Sequence, residues 1–137
     1  MKALFLSLFI LISIPGFSQE ISTMDFVKTI DENREELIYY YENNWKVLRD
    51  IALEKGYIES YELMTTLEDS DSRFDVILVT RYKSEAEYNK AEERFQSIIE
   101  EVQKSGGLKL LNDLKPGEFR SLEFYATTKT MFSPCSK

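Results

Sequence analysis

The sequence contains no histidine, a single cysteine, three prolines and five glycines, and its 17 lysines and arginines are outnumbered by 24 aspartates and glutamates. Each scarcity excludes something. Without an imidazole there is no histidine-based catalytic triad and no histidine zinc site. With Cys135 as the only thiol, no intrachain disulfide can form, so stability has to come from packing. A formal net charge of −7 repels phosphate backbones and anionic lipid, which argues against nucleic acid as a partner. Asp69 and Asp71 stand at the first and third places of an EF-hand pattern, but Arg73 and Phe74 fill the fifth and sixth, where an oxygen ligand and glycine are needed. That segment reads as a solvated turn. Nothing in the chain calls for a metal or a cofactor.

One long apolar run is present, and it lies at the start. Lys2 is followed by apolar residues from Ala3 to Ile14, broken only by Ser7 and Ser13, and then by Pro15, Gly16, Phe17 and Ser18. A cation, a short apolar stretch and small residues are the parts of a secretory signal peptide, and the run is shorter than the roughly 20 residues needed to span a bilayer. The expectation is cleavage after Ser18, a domain over residues 19–132, a short tail over 133–137, and a periplasmic or secreted protein with no stable membrane insertion.

Within that domain the pattern alternates between two periods. Ile21 to Thr29 has strand-like composition. Thr29 and Glu32 have capping-box spacing, which predicts a helix from about Ile30. Leu37, Tyr41, Trp45, Leu48 and Ala52 then draw one apolar stripe at helical spacing, ended by Lys55 and Gly56. Tyr57 to Leu67 alternates with period two, residues 68–73 form a polar turn, and Phe74 to Lys83 returns as a strand whose centre, Val76 to Val79, is apolar on both faces. Ser84 and Glu87 open a second helix, with Tyr88, Ala91, Phe95, Ile98 and Val102 as its stripe. Leu108 to Leu114 reads as a further turn or two, stopped by Pro116-Gly117, and Phe119 to Thr130 as the last strand.

Strand, helix, strand, strand, helix, strand is the split βαβ, or ferredoxin-like, order: an α+β fold with both helices on one face of a four-stranded antiparallel sheet. The apolar character of Ile77 and Val79 leaves the other face in need of cover, and a second copy is the economical way to supply it. On this element order, on the long Trp45-bearing helix ending at Gly56-Tyr57, and on the apolar third strand before the Ser84 helix start, the chain resembles the dimeric α+β barrel superfamily from about Met24 to Thr130. The resemblance implies two sheets paired around a cleft. Its members include small monooxygenases, haem-degrading enzymes and isomerases, so it assigns no single activity. The missing histidine also removes the proximal haem ligand that haem-handling members use. A monomer with an uncovered sheet is the alternative architecture.

If the sheets pair, the cleft candidates are Glu62, Met64, Ile77, Val79, Arg81, Glu123 and Tyr125. Arg81 could hold a carboxylate-bearing ligand, and a glutamate could move a proton. Against this stands the plainer reading that Arg81 neutralises Glu62 or Glu123. Trp45 belongs to the apolar stripe and reads as core, while Tyr39 and Tyr40 fall off it and read as exposed. Three functions follow in order of support: a homodimer binding a small, partly apolar molecule in the cleft without catalysis; a cofactor-independent monooxygenase or isomerase; and a periplasmic protein-interaction module.

Overall fold

The computed structural model describes residues 19–67 and 71–134. The expected signal peptide, the centre of the polar turn and Cys135 lie outside them. Strands β1 (Ile21–Thr29), β2 (Ser60–Thr65), β3 (Val76–Tyr82) and β4 (Arg120–Lys129) form one antiparallel sheet in the order β2-β3-β1-β4. This is the ferredoxin-like topology anticipated from the element order.

The first helical stretch runs as α1 (Arg34–Tyr40), a π-helical segment (Tyr41–Trp45) and α2 (Lys46–Glu54). The π segment was not anticipated. It widens one turn, and the side chains of Asn43 and Asn44 donate to the carbonyls of Tyr39 and Tyr40 there, at 2.9 and 2.8 Å. The expected Thr29/Glu32 capping box does not form. Thr29 stays in β1, paired with Arg120, and its amide donates to Asp75 Oδ2 at 2.7 Å. Asp31 and Glu32 then turn the chain with φ of 51° and 60°, a left-handed conformation that side chains other than Asn, Asp and Gly seldom adopt. The other end behaves as read, with Gly56 at φ 70° just past α2.

The second helical stretch begins where expected: Ser84 Oγ accepts from the Glu87 amide at 3.2 Å. It is split into α3 (Glu85–Tyr88) and α4 (Ala91–Gln103). Leu108 to Leu114 is irregular rather than helical, and the helical turn falls instead at α5 (Pro116–Phe119), with proline at its first position, where a missing N–H costs nothing.

The helices cover one face of the sheet. Val27, Leu37, Tyr41, Trp45, Val76, Leu78 and Phe119 form one buried cluster; Ile21, Ala52, Ile58, Tyr82 and Ile98 form another. The stripe residues Leu37, Tyr41, Trp45 and Ala52 are therefore core, and burying a side chain such as Leu37 contributes about 1.5–3 kcal/mol. Ile58 also packs under the helices, because β2 starts only at Ser60. One expectation is corrected here. Tyr40 is partly buried, its ring centroid 5.7 Å from that of Phe119.

Candidate functional site

Register decides which side chains share a face. Glu62 pairs with Val79 and Met64 with Ile77, so these four and Arg81 lie together on the helix-free face. There Arg81 meets Glu62 as a fork, Nη1 to Oε1 at 2.9 Å and Nη2 to Oε2 at 3.4 Å, with Glu20 Oε1 3.6 Å from Nε. The guanidinium is thus matched by two carboxylates of the same chain. Glu123 and Tyr125 do not join this group. The β1–β4 register slips between Phe26 and Val27, leaving Glu123 as the extra, unpaired residue of a bulge. Past the bulge the alternation is reversed, so Tyr125 lies opposite Asp25 on the helix side, and Phe124 takes the helix-free face opposite Phe26.

The helix side holds a polar cluster that sequence reasoning missed. Asp25 projects from β1 between Thr23 and Val27, on the face that carries Leu78 of β3. It is half-buried, and burial pushes its carboxyl above the ordinary range against the opposing pull of Arg49 and Arg120. Among the described residues no hydrogen bond or ion pair joins Asp25 to either arginine, although both act on its charge.

Arg49 comes from α2, one helical turn after Trp45. Its Cζ sits 4.8 Å from the Trp45 ring centroid and 4.3 Å from that of Phe95, and its Nε donates to Thr80 Oγ1 at 3.3 Å. Burial lowers its pKa to about 10, against the opposing effect of Tyr82 and Asp25, which leaves it cationic at neutral pH. Arg120 opens β4. Its Nη1 donates to the Tyr41 hydroxyl at 3.1 Å and its Cζ lies 4.8 Å from the Tyr40 ring centroid. Burial raises the phenols of Tyr41 and Tyr82, with Arg120 and Arg49 respectively opposing it, so both rings stay neutral donors. Among the described residues, two further donors in this region, Trp45 Nε1 and Arg120 Nε, are buried without an acceptor. The arrangement has more donors than acceptors, walls of aromatic rings, and one carboxylate held in a partly dry setting.

A signal for this cluster does exist in the sequence. Arg49 repeats the four-residue step from Leu37 to Tyr41 to Trp45, and Asp25 falls in the alternation Ile21, Thr23, Asp25, Val27. A charge on a face otherwise read as core marks a buried polar site.

No family model matches the chain, and no curated protein matches it. Solved structures do. A Shewanella loihica PV-4 protein provisionally described as a monooxygenase is 18% identical with a TM-score of 0.51, covering 86% of this chain and all of its own (100%). A conserved Bacteroides thetaiotaomicron VPI-5482 protein of unknown function, for which an oxidoreductase role has been suggested, is 13% identical with a TM-score of 0.50, covering 82% and 99%. At such identities the likeness is one of fold. A dimeric protein of unknown function and ferredoxin-like fold from Bacteroides fragilis NCTC 9343, 11% identical over 82% and 96% with a TM-score of 0.46, is too distant to bear on this chain.

Proposed function

We propose that the protein is an exported homodimer that binds a small, partly apolar molecule, and that the binding residues are those between helices and sheet. The observation that carries this reading is the Asp25, Arg49 and Arg120 cluster: three charges from three elements, with no ion pair among them within the described residues, flanked by Trp45, Phe95, Tyr40 and Tyr82. Burying charged groups without mutual ion pairs is costly, and a ligand that supplies the missing partners offsets that cost.

Pairing is supported by the helix-free face. Phe26 and Phe124 stack with centroids 4.2 Å apart, Phe74 meets Phe26 edge-on at 5.0 Å, and Met64 and Phe124 are exposed. A second copy would cover this apolar area. Export rests on the composition of residues 1–18.

Mass measurement of the reduced, purified protein under non-denaturing and denaturing conditions tests the reading. A dimer that retains extra mass supports it. A clean monomer whose thermal transition is unmoved by a panel of aromatic and aliphatic small molecules overturns it.

One observation favours a catalytic version. A carboxyl raised by burial, beside two guanidiniums, can take a proton from a bound molecule while the arginines stabilise the anion that results. Substrate-dependent oxygen uptake or isomerisation that Asp25→Asn abolishes would establish it, and a bound ligand recovered unaltered after long incubation would exclude it.

A further inference from the structure

Val47 and Leu48 of α2 and Ile99 and Val102 of α4 line a half-open cavity of about 160 Å³, and Leu108 of the segment after α4 completes its apolar wall. None of Asp25, Arg49 and Arg120 borders it, so it is a place apart from the cluster described above. We propose that this cavity binds a short-chain aliphatic monocarboxylate, its chain between α2 and α4 and its carboxylate at Lys109.

Volume sets the size of the chain. A cavity of roughly 150 Å³ with aliphatic walls holds benzene, so a chain of about six carbons fits here. Val47, Leu48, Ile99 and Val102 are each only half-buried, which leaves apolar surface for such a chain to take from water. The wall is also fixed in advance. Lys109 is bonded twice through its backbone to Asn44 of the π segment, so this side need not be ordered when a ligand enters. A π turn within a helix is often found at a functional site, and this one puts Asn43 and Asn44 on the border of the cavity.

The polar border sets the head group. Lys109 is the one charged residue among those lining the cavity. In this acidic chain Lys28, Lys46, Lys55, Lys83, Lys90 and Lys129 each pair with a carboxylate. The Lys109 ammonium pairs with none among the described residues, and the Gln103 amide likewise has no partner among them. Asn43 keeps one N–H after bonding the Tyr39 carbonyl. A carboxylate, which only accepts, suits these donors, and a single cation balances a monoanion rather than a dianion.

NMR titration with butanoate, hexanoate, octanoate and 1-hexanol, followed on the methyl groups of Val47, Leu48, Ile99 and Val102, tests this. Affinity should rise about threefold per methylene from butanoate to hexanoate and then flatten as the cavity fills. At low salt hexanoate should bind about threefold more tightly than hexanol, and Lys109→Met should remove that difference while leaving hexanol unchanged. Ile99→Phe fills the cavity and should weaken hexanoate tenfold or more, with Val47→Phe as the second variant should the first not fold. Equal affinity for hexanoate and hexanol in the unaltered protein would overturn the carboxylate assignment. Binding that shifts other methyl groups but not these four residues, or that survives both filling substitutions, would overturn the site. No shift with any of the four compounds up to its solubility would overturn the proposal as a whole, and would leave the reading of the Asp25 cluster untouched.

Discussion

Asn44 grips the backbone of Lys109 through both halves of its side-chain amide: Nδ2 donates to the Lys109 carbonyl at 2.7 Å and Oδ1 accepts from the Lys109 amide at 2.8 Å. The second Nδ2 hydrogen goes to the Tyr40 carbonyl. One side chain thus ties the irregular stretch after α4 to the π segment and gives the Tyr40 carbonyl a donor. Beside it Val47, Leu48, Ile99 and Val102 line a shallow apolar cavity of about 160 Å³, closed on one side by Gly107 and Leu108.

Replacing Asn44 should therefore loosen a whole segment. Asn44→Ala is expected to lower unfolding free energy by about 1–3 kcal/mol, with the denaturant slope unchanged, and to speed amide exchange over residues 107–114. Asn44→Asp should cost more, because an oxygen would then face the Lys109 and Tyr40 carbonyls where a donor is required. Urea titration and hydrogen exchange of the three proteins decide it.

Asp75 sets the acid limit. Burial acts to raise its carboxyl, but the Thr29 amide and Lys28, whose Nζ lies 3.0 Å from Oδ1, outweigh that and hold it below the usual range. The unfolded chain titrates at the ordinary value, so the folded state binds fewer protons between the two values. The stabilisation is complete above the unfolded value and is lost as pH falls through the folded one. Asp75→Asn should cost about 1.5 kcal/mol at pH 7 and flatten the decline of stability below about pH 4. Thermal melts of both proteins between pH 2 and 7 show whether the two curves converge in acid.

The split βαβ order was legible because each element announces itself by period: Leu37, Tyr41 and Trp45 at helical steps, Tyr61 and Leu63 at strand steps. The faces of β2 and β3 followed from the same alternation. The face of Tyr125 did not, because a bulge at Glu123 adds one residue without any glycine or proline to mark it, and every later side chain changes sides. The start of α1 was misplaced for a related reason. Thr29 has capping chemistry, but Asp75, 46 positions away in sequence, claims its amide first. Asp25 and Arg49 were visible only as charges on apolar faces, and it takes the fold to bring these separate elements together.

Ile77 tests the proposed pairing. It lies on the helix-free face beside Met64 and is partly exposed in the single chain, so a charge there should leave the fold of one copy intact and oppose association. Ile77→Lys is expected to sediment as a monomer under conditions in which the unaltered protein is a dimer, with circular dichroism unchanged. The same mass for both proteins, whether monomer or dimer, would exclude this face as the interface.

Asp25 should behave in the opposite sense to Asp75. Burial raises its carboxyl while Arg49 of α2 and Arg120 of β4 pull it down, and the Tyr82 and Tyr41 hydroxyls face the same group from β3 and the π segment. A raised value means that the folded state binds more protons than the unfolded state between the two. Its contribution is most favourable below the unfolded value and is lost as pH rises through the folded one. Asp25→Asn is therefore expected to raise Tm by a few degrees at pH 7, with the gain shrinking toward pH 4, and to lose any small molecule that the unaltered protein carries. Gain of stability together with loss of binding is what a residue kept for function gives. A fall in Tm at pH 7 would mean instead that Asp25 holds the two arginines in place, and the cluster would then be a device of the fold.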